Sequence, residues 1–232
     1  MIKRALVVSG HVGDFVWRSG GTIAEFVRQG AEVSLIILTY GLRGESNGYW
    51  KKEGANWEEA VPLRREEGLT AARRLGVSEI QTWEYEDYPL YMDEERLIRL
   101  AGEIRRLRPE LIITHDGMRD AFNTDHTLIG QVIYQACEMA ASPRLRLGGE
   151  APLDRLPAVW GFEPHVPDLS GFVPRVYVDY TLSAGTKRDA MEVYAATQKS
   201  MFEPYWAKGL IRARQSGIPG CQYAEAFTVL IP

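Results

Sequence analysis

An apolar run, Ala5 to Val8, breaks at Ser9-Gly10-His11-Val12-Gly13-Asp14 and gives way to a stretch with helical spacing of apolar residues. A buried strand, a tight polar turn and a helix make the opening of a βαβ unit, and a second apolar run over 33–39 completes it. Parallel strands need such crossovers, so this beginning commits the chain to an α/β sheet with helices on its faces. In such sheets ligands bind beyond the carboxyl ends of the strands. His11 and Asp14, three residues apart on this turn, can therefore point at one metal ion.

The rest of the chain repeats the alternation. Helices are expected over 20–29, 58–75, 93–107, 125–141, 182–197 and 200–215. Strands are expected over 4–9, 33–39, 80–83, 110–114, 158–162, 175–179 and 223–231. Asp93 reads as a helix N-cap, and Pro109 as a stop. No stretch rich in Pro, Gly or Ser divides the 232 residues, so one domain, 1–232, is expected. The alternation argues for an α/β fold with a parallel sheet and helices on both of its faces.

Charge and composition exclude several classes. A net charge of −4 leaves no basic excess to neutralise nucleic-acid phosphates. No apolar run reaches the length of a membrane span. The first residues, Met1-Ile2-Lys3-Arg4, lead into a strand without a signal-peptide core, and Cys137 and Cys221 are not spaced as metal ligands. Two reduced thiols in a cytoplasmic protein are the expectation.

Each of the four histidines follows a predicted strand or opens the helix after one. His11 and Asp14 offer a nitrogen and an oxygen. His126, in Asn123-Thr124-Asp125-His126, would aim its ring at the same rim from the first turn of a helix. Two imidazoles and a carboxylate suit zinc with an open fourth position, and tolerate other divalent metals. Asp125 could orient a ring from behind. Each piece alone also reads as a helix cap. The loop over 40–57, with Gly41-Leu42-Arg43-Gly44-Glu45-Ser46, is long enough to fold over a ligand.

These stretches resemble the PIG-L-like (LmbE-like) superfamily of zinc-dependent N-acetylglucosaminyl deacetylases. His11 to Phe15 matches its His-Pro-Asp-Asp-Glu stretch, Gly20-Gly21-Thr22-Ile23 its Gly-Gly-Thr-Ile, and Asn123 to His126 its His-Pro-Asp-His. The resemblance implies a Rossmann-like three-layer α/β/α sandwich with a mostly parallel sheet over nearly the whole chain, and metal ligands at His11, Asp14 and His126. It also exposes two departures. The family's general base falls on Gly13, which has no proton acceptor, and its first histidine of the later motif falls on Asn123, which cannot titrate.

One branch, the 4-oxalomesaconate hydratases, is more similar. It shares His11 to Gly21, Gly41 to Ser46, Phe122 to His126, Phe162-Glu163-Pro164-His165 and Tyr223 to Glu225. The expected activity is metal-dependent hydration of an unsaturated 2-oxo polycarboxylic acid, with Glu45 and His165 as the acid–base pair. Arg18, Arg43, His115, Arg119 and Asn123 are expected to bind a small carboxylate substrate, although each arginine also reads as a surface ion-pair residue and His115 as structural. A homo-oligomer is implied by resemblance alone. A deacetylase of the PIG-L type is the alternative, and a non-catalytic module that keeps the metal is the third reading.

Overall fold

The computed structural model describes residues 2–120 and 122–232. In chain order the strands are β1 (Arg4–His11), β2 (Glu32–Thr39), β3 (Glu79–Tyr85), β4 (Leu111–Thr114), β5 (Ala158–Phe162), β6 (Val176–Asp179) and β7 (Ala224–Ile231). The helices are α1 (Asp14–Arg28), α2 (Asn47–Trp50), α3 (Trp57–Arg74), α4 (Glu94–Leu107), α5 (Thr124–Ala141), α6 (Pro167–Ser170), α7 (Ala184–Glu192) and α8 (Phe202–Ser216).

All seven strands join one sheet in the order β3-β2-β1-β4-β5-β7-β6. The pairs from β3 through β5 are parallel, and β7 runs antiparallel to both β5 and β6. The central strands bury both faces, so successive residues feed opposite cores. Val7, Leu35, Ile37, Leu111 and Ile113 face α1, α3 and α7, while Leu6, Val8, Ile36, Leu38 and Ile112 face α4 and α5. That is why these strands read as unbroken apolar runs.

The chain leaves β1 toward β2 on one side and later returns to β4 on the other. The sheet order reverses between β1 and β4, and the crevice at their carboxyl ends is the place such folds keep for a ligand. His11 ends β1, and His115 follows Thr114 at the end of β4.

Helix α1 begins at Asp14, six residues before the start expected at Gly20. Of the two glycines, Gly21 serves close packing inside the helix. A Cβ on Gly21 would overlap the Tyr180 ring, and Glu225 accepts hydrogen bonds from the Gly21 and Thr22 amides at 3.0 and 2.7 Å. The helix expected over 182–197 is shorter: α7 is flanked by 3-10 turns at Thr181–Ser183 and Val193–Ala196. The 40–57 loop contains the single turn α2. Asp93 does cap α4, its side chain accepting from the Arg96 amide.

Candidate active site

The turn after β1 is held by its own side chains. Asp14 Oδ2 accepts from the His11 amide at 2.8 Å, and Ser9 Oγ accepts from the Phe15 amide and donates to the His11 carbonyl. This folds the two candidate ligands together. His126 sits on the first turn of α5, where Asn123 Oδ1 accepts from the Asp125 and His126 amides. Three donor atoms then converge. His11 Nδ1 lies 3.0 Å from His126 Nε2 and 3.3 Å from Asp14 Oδ2, and His126 Nε2 lies 3.3 Å from Asp14 Oδ2.

These separations test the fit of a metal directly. Tetrahedral zinc with ligands at about 2.0–2.1 Å has ligand–ligand edges of about 3.3 Å. The triangle already has that size. Each ring is also buttressed on its far nitrogen, as metal-ligating histidines are. Asp125 Oδ2 lies 3.2 Å from His11 Nε2, and Asp120 Oδ2 lies 2.8 Å from His126 Nδ1. Asp125 is itself fixed by the Tyr88 and Leu90 amides at 2.9 Å. Asp120 is fixed by Arg18 Nη1 at 2.6 Å. Glu45 Oε1 stands farther out, 3.7 Å from His11 Nδ1, on a partly exposed side chain.

The electrostatics favour a cation in the triangle. Burial would push His11 down, but the Asp125, Asp14 and Glu45 carboxylates outweigh it and lift the imidazole to about 10. Burial likewise opposes ionisation of Asp14, yet the rings of His126, His115 and His11 hold its carboxyl well below the usual range. Asp120 is held low in the same way against its own burial, chiefly by the Arg18 guanidinium.

A cleft of about 260 Å³ opens beside the triangle. Asp14, Glu45 and Asn123 lie on its wall, with Trp17, Arg18 and Tyr88. Asn123 Nδ2 donates to Glu45 Oε1 at 3.2 Å. The Tyr88 ring stacks on His11 with centroids 5.6 Å apart. His165 reaches the same cleft from the segment after β5, exposed at the surface, with Nδ1 3.3 Å from the buried Tyr205 hydroxyl. Partial burial of the ring on its cleft side and the nearby Lys208 and Arg18 charges push it below the ordinary histidine value.

Three expected substrate contacts sit elsewhere. His115 is fully buried behind the triangle, stacked on His126 at 3.8 Å, with Nε2 accepting from the Gly10 amide at 3.0 Å. Burial and the His126 charge lower its pKa, which suits a neutral support for the ligands rather than a substrate contact. Arg43 turns away to Glu86 at 2.9 Å and the Asp87 carbonyl. Arg119 donates to the Gly171 carbonyl. Arg18 is on the cleft, but its guanidinium is committed to Asp120, the Glu163 carbonyl and, at 3.6 Å, Asp14.

Sequence reasoning missed Asp120, Tyr88 and Tyr205. Asp120 carried one usable signal: it lies on the loop after a strand, two turns of chain before the His126 that it orients. Tyr88 and Tyr205 carried none, since tyrosines near a sheet rim are usually packing.

Comparison with known proteins finds relatives along nearly the whole chain. The family model described as PIG-L, GlcNAc-PI de-N-acetylase, matches residues 6–137. The chain is 35% identical over 237 residues to the 4-oxalmesaconate hydratase of Pseudomonas putida, covering 99% of this chain and 90% of that protein. The crystal structure of GalB, the 4-carboxy-2-hydroxymuconate hydratase of Pseudomonas putida, superposes with a TM-score of 0.91 at 34% identity, over 99% of this chain and 97% of that one. The N,N'-diacetylchitobiose deacetylase of Pyrococcus horikoshii, at 22% identity, shares the fold with a TM-score of 0.81 over 99% of this chain and 84% of that one. With more than half of its length matched by the family model, and a relative 35% identical across nearly the whole of it, this chain belongs to the PIG-L family.

Proposed function

We propose that this protein is a metal-dependent hydro-lyase that adds water to the conjugated C=C bond of an unsaturated 2-oxo polycarboxylic acid. The substrate is 4-oxalomesaconate or its enol tautomer, 4-carboxy-2-hydroxymuconate, in the catabolism of gallate and protocatechuate. The observation that carries this reading is the pairing of a complete metal triangle with a glycine at position 13, beside Glu45 as the nearest free carboxylate. The 35% identity to the Pseudomonas putida hydratase supports it along the whole chain.

His11, Asp14 and His126 would hold the metal, zinc or another divalent ion. Bound there, it supplies Lewis acidity to a substrate oxygen or to water. Glu45, receiving a hydrogen bond from Asn123, takes a proton from the water that adds to one alkene carbon and gives a proton to the other, so the net change is one water gained. When the enol binds, His165, held below the ordinary histidine value by its surroundings, takes the enol hydroxyl proton and returns it to the carbon next to the forming 2-oxo group, while Tyr205 steadies its other nitrogen. Asn123 and the Arg18 charge orient the substrate's oxygens.

The test is direct. Purified metal-loaded protein is mixed with 4-carboxy-2-hydroxymuconate and followed by loss of its conjugated absorbance, with acetate release from N-acetylglucosamine conjugates measured in parallel. Absorbance loss without acetate is expected. Acetate without hydration would reverse the assignment in favour of the deacetylase, the activity in the family's name.

We also infer one domain, a cytoplasmic location and a homo-oligomer. Among the described residues no helix is long and apolar enough to cross a membrane. The two cysteines are unpaired, as reducing conditions would keep them. Leu210 and Ile211 expose apolar surface on α8 that a second copy could cover.

A further inference from the structure

Gly13 has φ −99° and ψ −22°, a conformation open to any residue, so its backbone does not ask for glycine. Space does. A Cβ at this position would overlap Gln198 Oε1 and come within 2.8 Å of Trp17 Nε1. Those two atoms form a hydrogen bond of 3.1 Å across 181 residues of chain. The Gln198 amide nitrogen, on the other side of the same side chain, donates to the Glu45 carbonyl at 2.9 Å. One buried side chain thus fills the room beside Gly13 and holds the backbone that carries Glu45.

Gln198 is itself anchored. Its neighbour Thr197 is buried against the Arg64–Glu67 ion pair: Arg64 Nη1 donates to Thr197 Oγ1 at 2.7 Å, and Thr197 Oγ1 meets both Glu67 oxygens at 2.8 and 2.9 Å. Gly48, one turn beyond Glu45, packs so closely on the Thr197 carbonyl that a Cβ there would overlap it. The Glu45 loop is therefore docked on residues 197–198 at two points, and a fully buried charged network backs that surface.

We propose that Gln198 is the positioning residue for Glu45, and that position 13 is glycine to admit it. The proposal rests on the hydratase reading for what Glu45 does, and on geometry alone for what Gln198 holds. Gln198 sets the carboxylate's place beside the metal triangle, while a side chain at position 13 would expel it.

The experiment compares Gln198→Glu, Gln198→Leu and Gly13→Ala with the unaltered holoenzyme. Gln198→Glu is isosteric and keeps an acceptor for Trp17, but cannot donate to the Glu45 carbonyl. Gly13→Ala leaves both partners intact and displaces Gln198 by its Cβ. Each variant is expected to keep its metal content and KM while kcat for 4-carboxy-2-hydroxymuconate falls about tenfold, the loss of one positioning hydrogen bond. In a Glu45→Gln background, adding Gln198→Glu is expected to change kcat less than twofold, because its effect runs through Glu45. Hydrogen exchange of the Gly44 and Glu45 amides is expected to speed at least tenfold in all three variants. Failure of the unaltered enzyme to hydrate the substrate would overturn the hydratase reading, and the amide exchange would then decide the tether by itself. Loop amides as protected as before in Gln198→Glu and Gly13→Ala would overturn the proposal, as would an equal kcat loss with and without the Glu45 carboxylate.

Discussion

Replacing Asp120 by Asn removes one charge and keeps the shape. The Asp120 carboxylate meets His126 Nδ1 at 2.8 Å and Arg18 Nη1 at 2.6 Å, in a pocket where none of the three side chains is more than 6% exposed. Two separable losses follow. The ring of His126 loses the charged acceptor that fixes its tautomer and raises its basicity, and such losses weaken metal binding about 10–100-fold. Arg18 keeps a neutral amide oxygen and a carbonyl, with Asp14 at 3.6 Å as its remaining carboxylate, so the apoprotein loses about 3 kcal/mol as a buried cation goes short of its charged partner. The double variant Arg18→Met/Asp120→Asn removes the stranded cation. It should recover most of the stability while leaving the metal affinity low. Zinc affinity by competition with a chromogenic chelator, and melting of the metal-free proteins, read the two effects apart. Wild-type zinc affinity in Asp120→Asn would refute the reasoning, because His126 would then bind metal without its carboxylate.

Three further outcomes are expected. Glu45→Gln should keep its zinc by elemental analysis and lose about 10²–10⁴-fold in kcat, the cost of a missing proton carrier; full activity would remove Glu45 from the mechanism. Gly21→Ala should lower stability by about 1–3 kcal/mol in denaturant melts, since the added methyl overlaps the Tyr180 ring within a packed core; an unchanged midpoint would mean the helix yields. Glu25 is held down at about 2 by Arg28, with Gln29 and Ser183 adding hydrogen bonds, against an ordinary glutamate value of 4.5. A depressed carboxyl stabilises the fold above its unfolded pKa and ceases to do so as pH falls toward its folded one. Wild type should exceed Glu25→Gln by about 1 kcal/mol at pH 7, a figure reduced for the half-exposed Arg28, and the gap should close between pH 4.5 and 2. A gap that stays constant over that range would show that the Glu25 charge is not its source.

What could be read in the sequence was what the chain encodes locally. The turn at His11 and Asp14 needs three residues, and the cap that aims His126 also needs three, so both were legible as spacing. The central strands were legible because burial on both faces leaves no polar positions. The start of α1 was misplaced because Gly20-Gly21 looks like punctuation, and only the distant Tyr180 and Glu225 show why Gly21 lies inside the helix. The arginines show the same limit. Arg43 and Arg119 stand on rim loops as expected, but a guanidinium points to its best acceptor, and those acceptors, Glu86 and the Gly171 carbonyl, lie outside the cleft. Gln198 could not be found at all from its neighbours, because its partners Trp17 and Glu45 are 181 and 153 residues away.

The site divides its labour between rigid and adaptable parts. The three metal-facing atoms sit on the end of β1 and the first turns of α1 and α5, and their buttressing carboxylates are buried. The groups assigned to proton transfer sit on loops: Glu45 after β2, His165 after β5. Buried elements hold geometry to a fraction of an ångström, whereas loop residues change with little cost to the core. Position 13 lies between two of the converging ligand residues and carries no proton acceptor, and the room beside it is filled by Gln198. Amide hydrolysis and alkene hydration need the same polarising centre and differ chiefly in where protons are taken and returned. One fold can therefore serve both chemistries, and under the proposed function the loops that carry Glu45 and His165 are where the two would diverge.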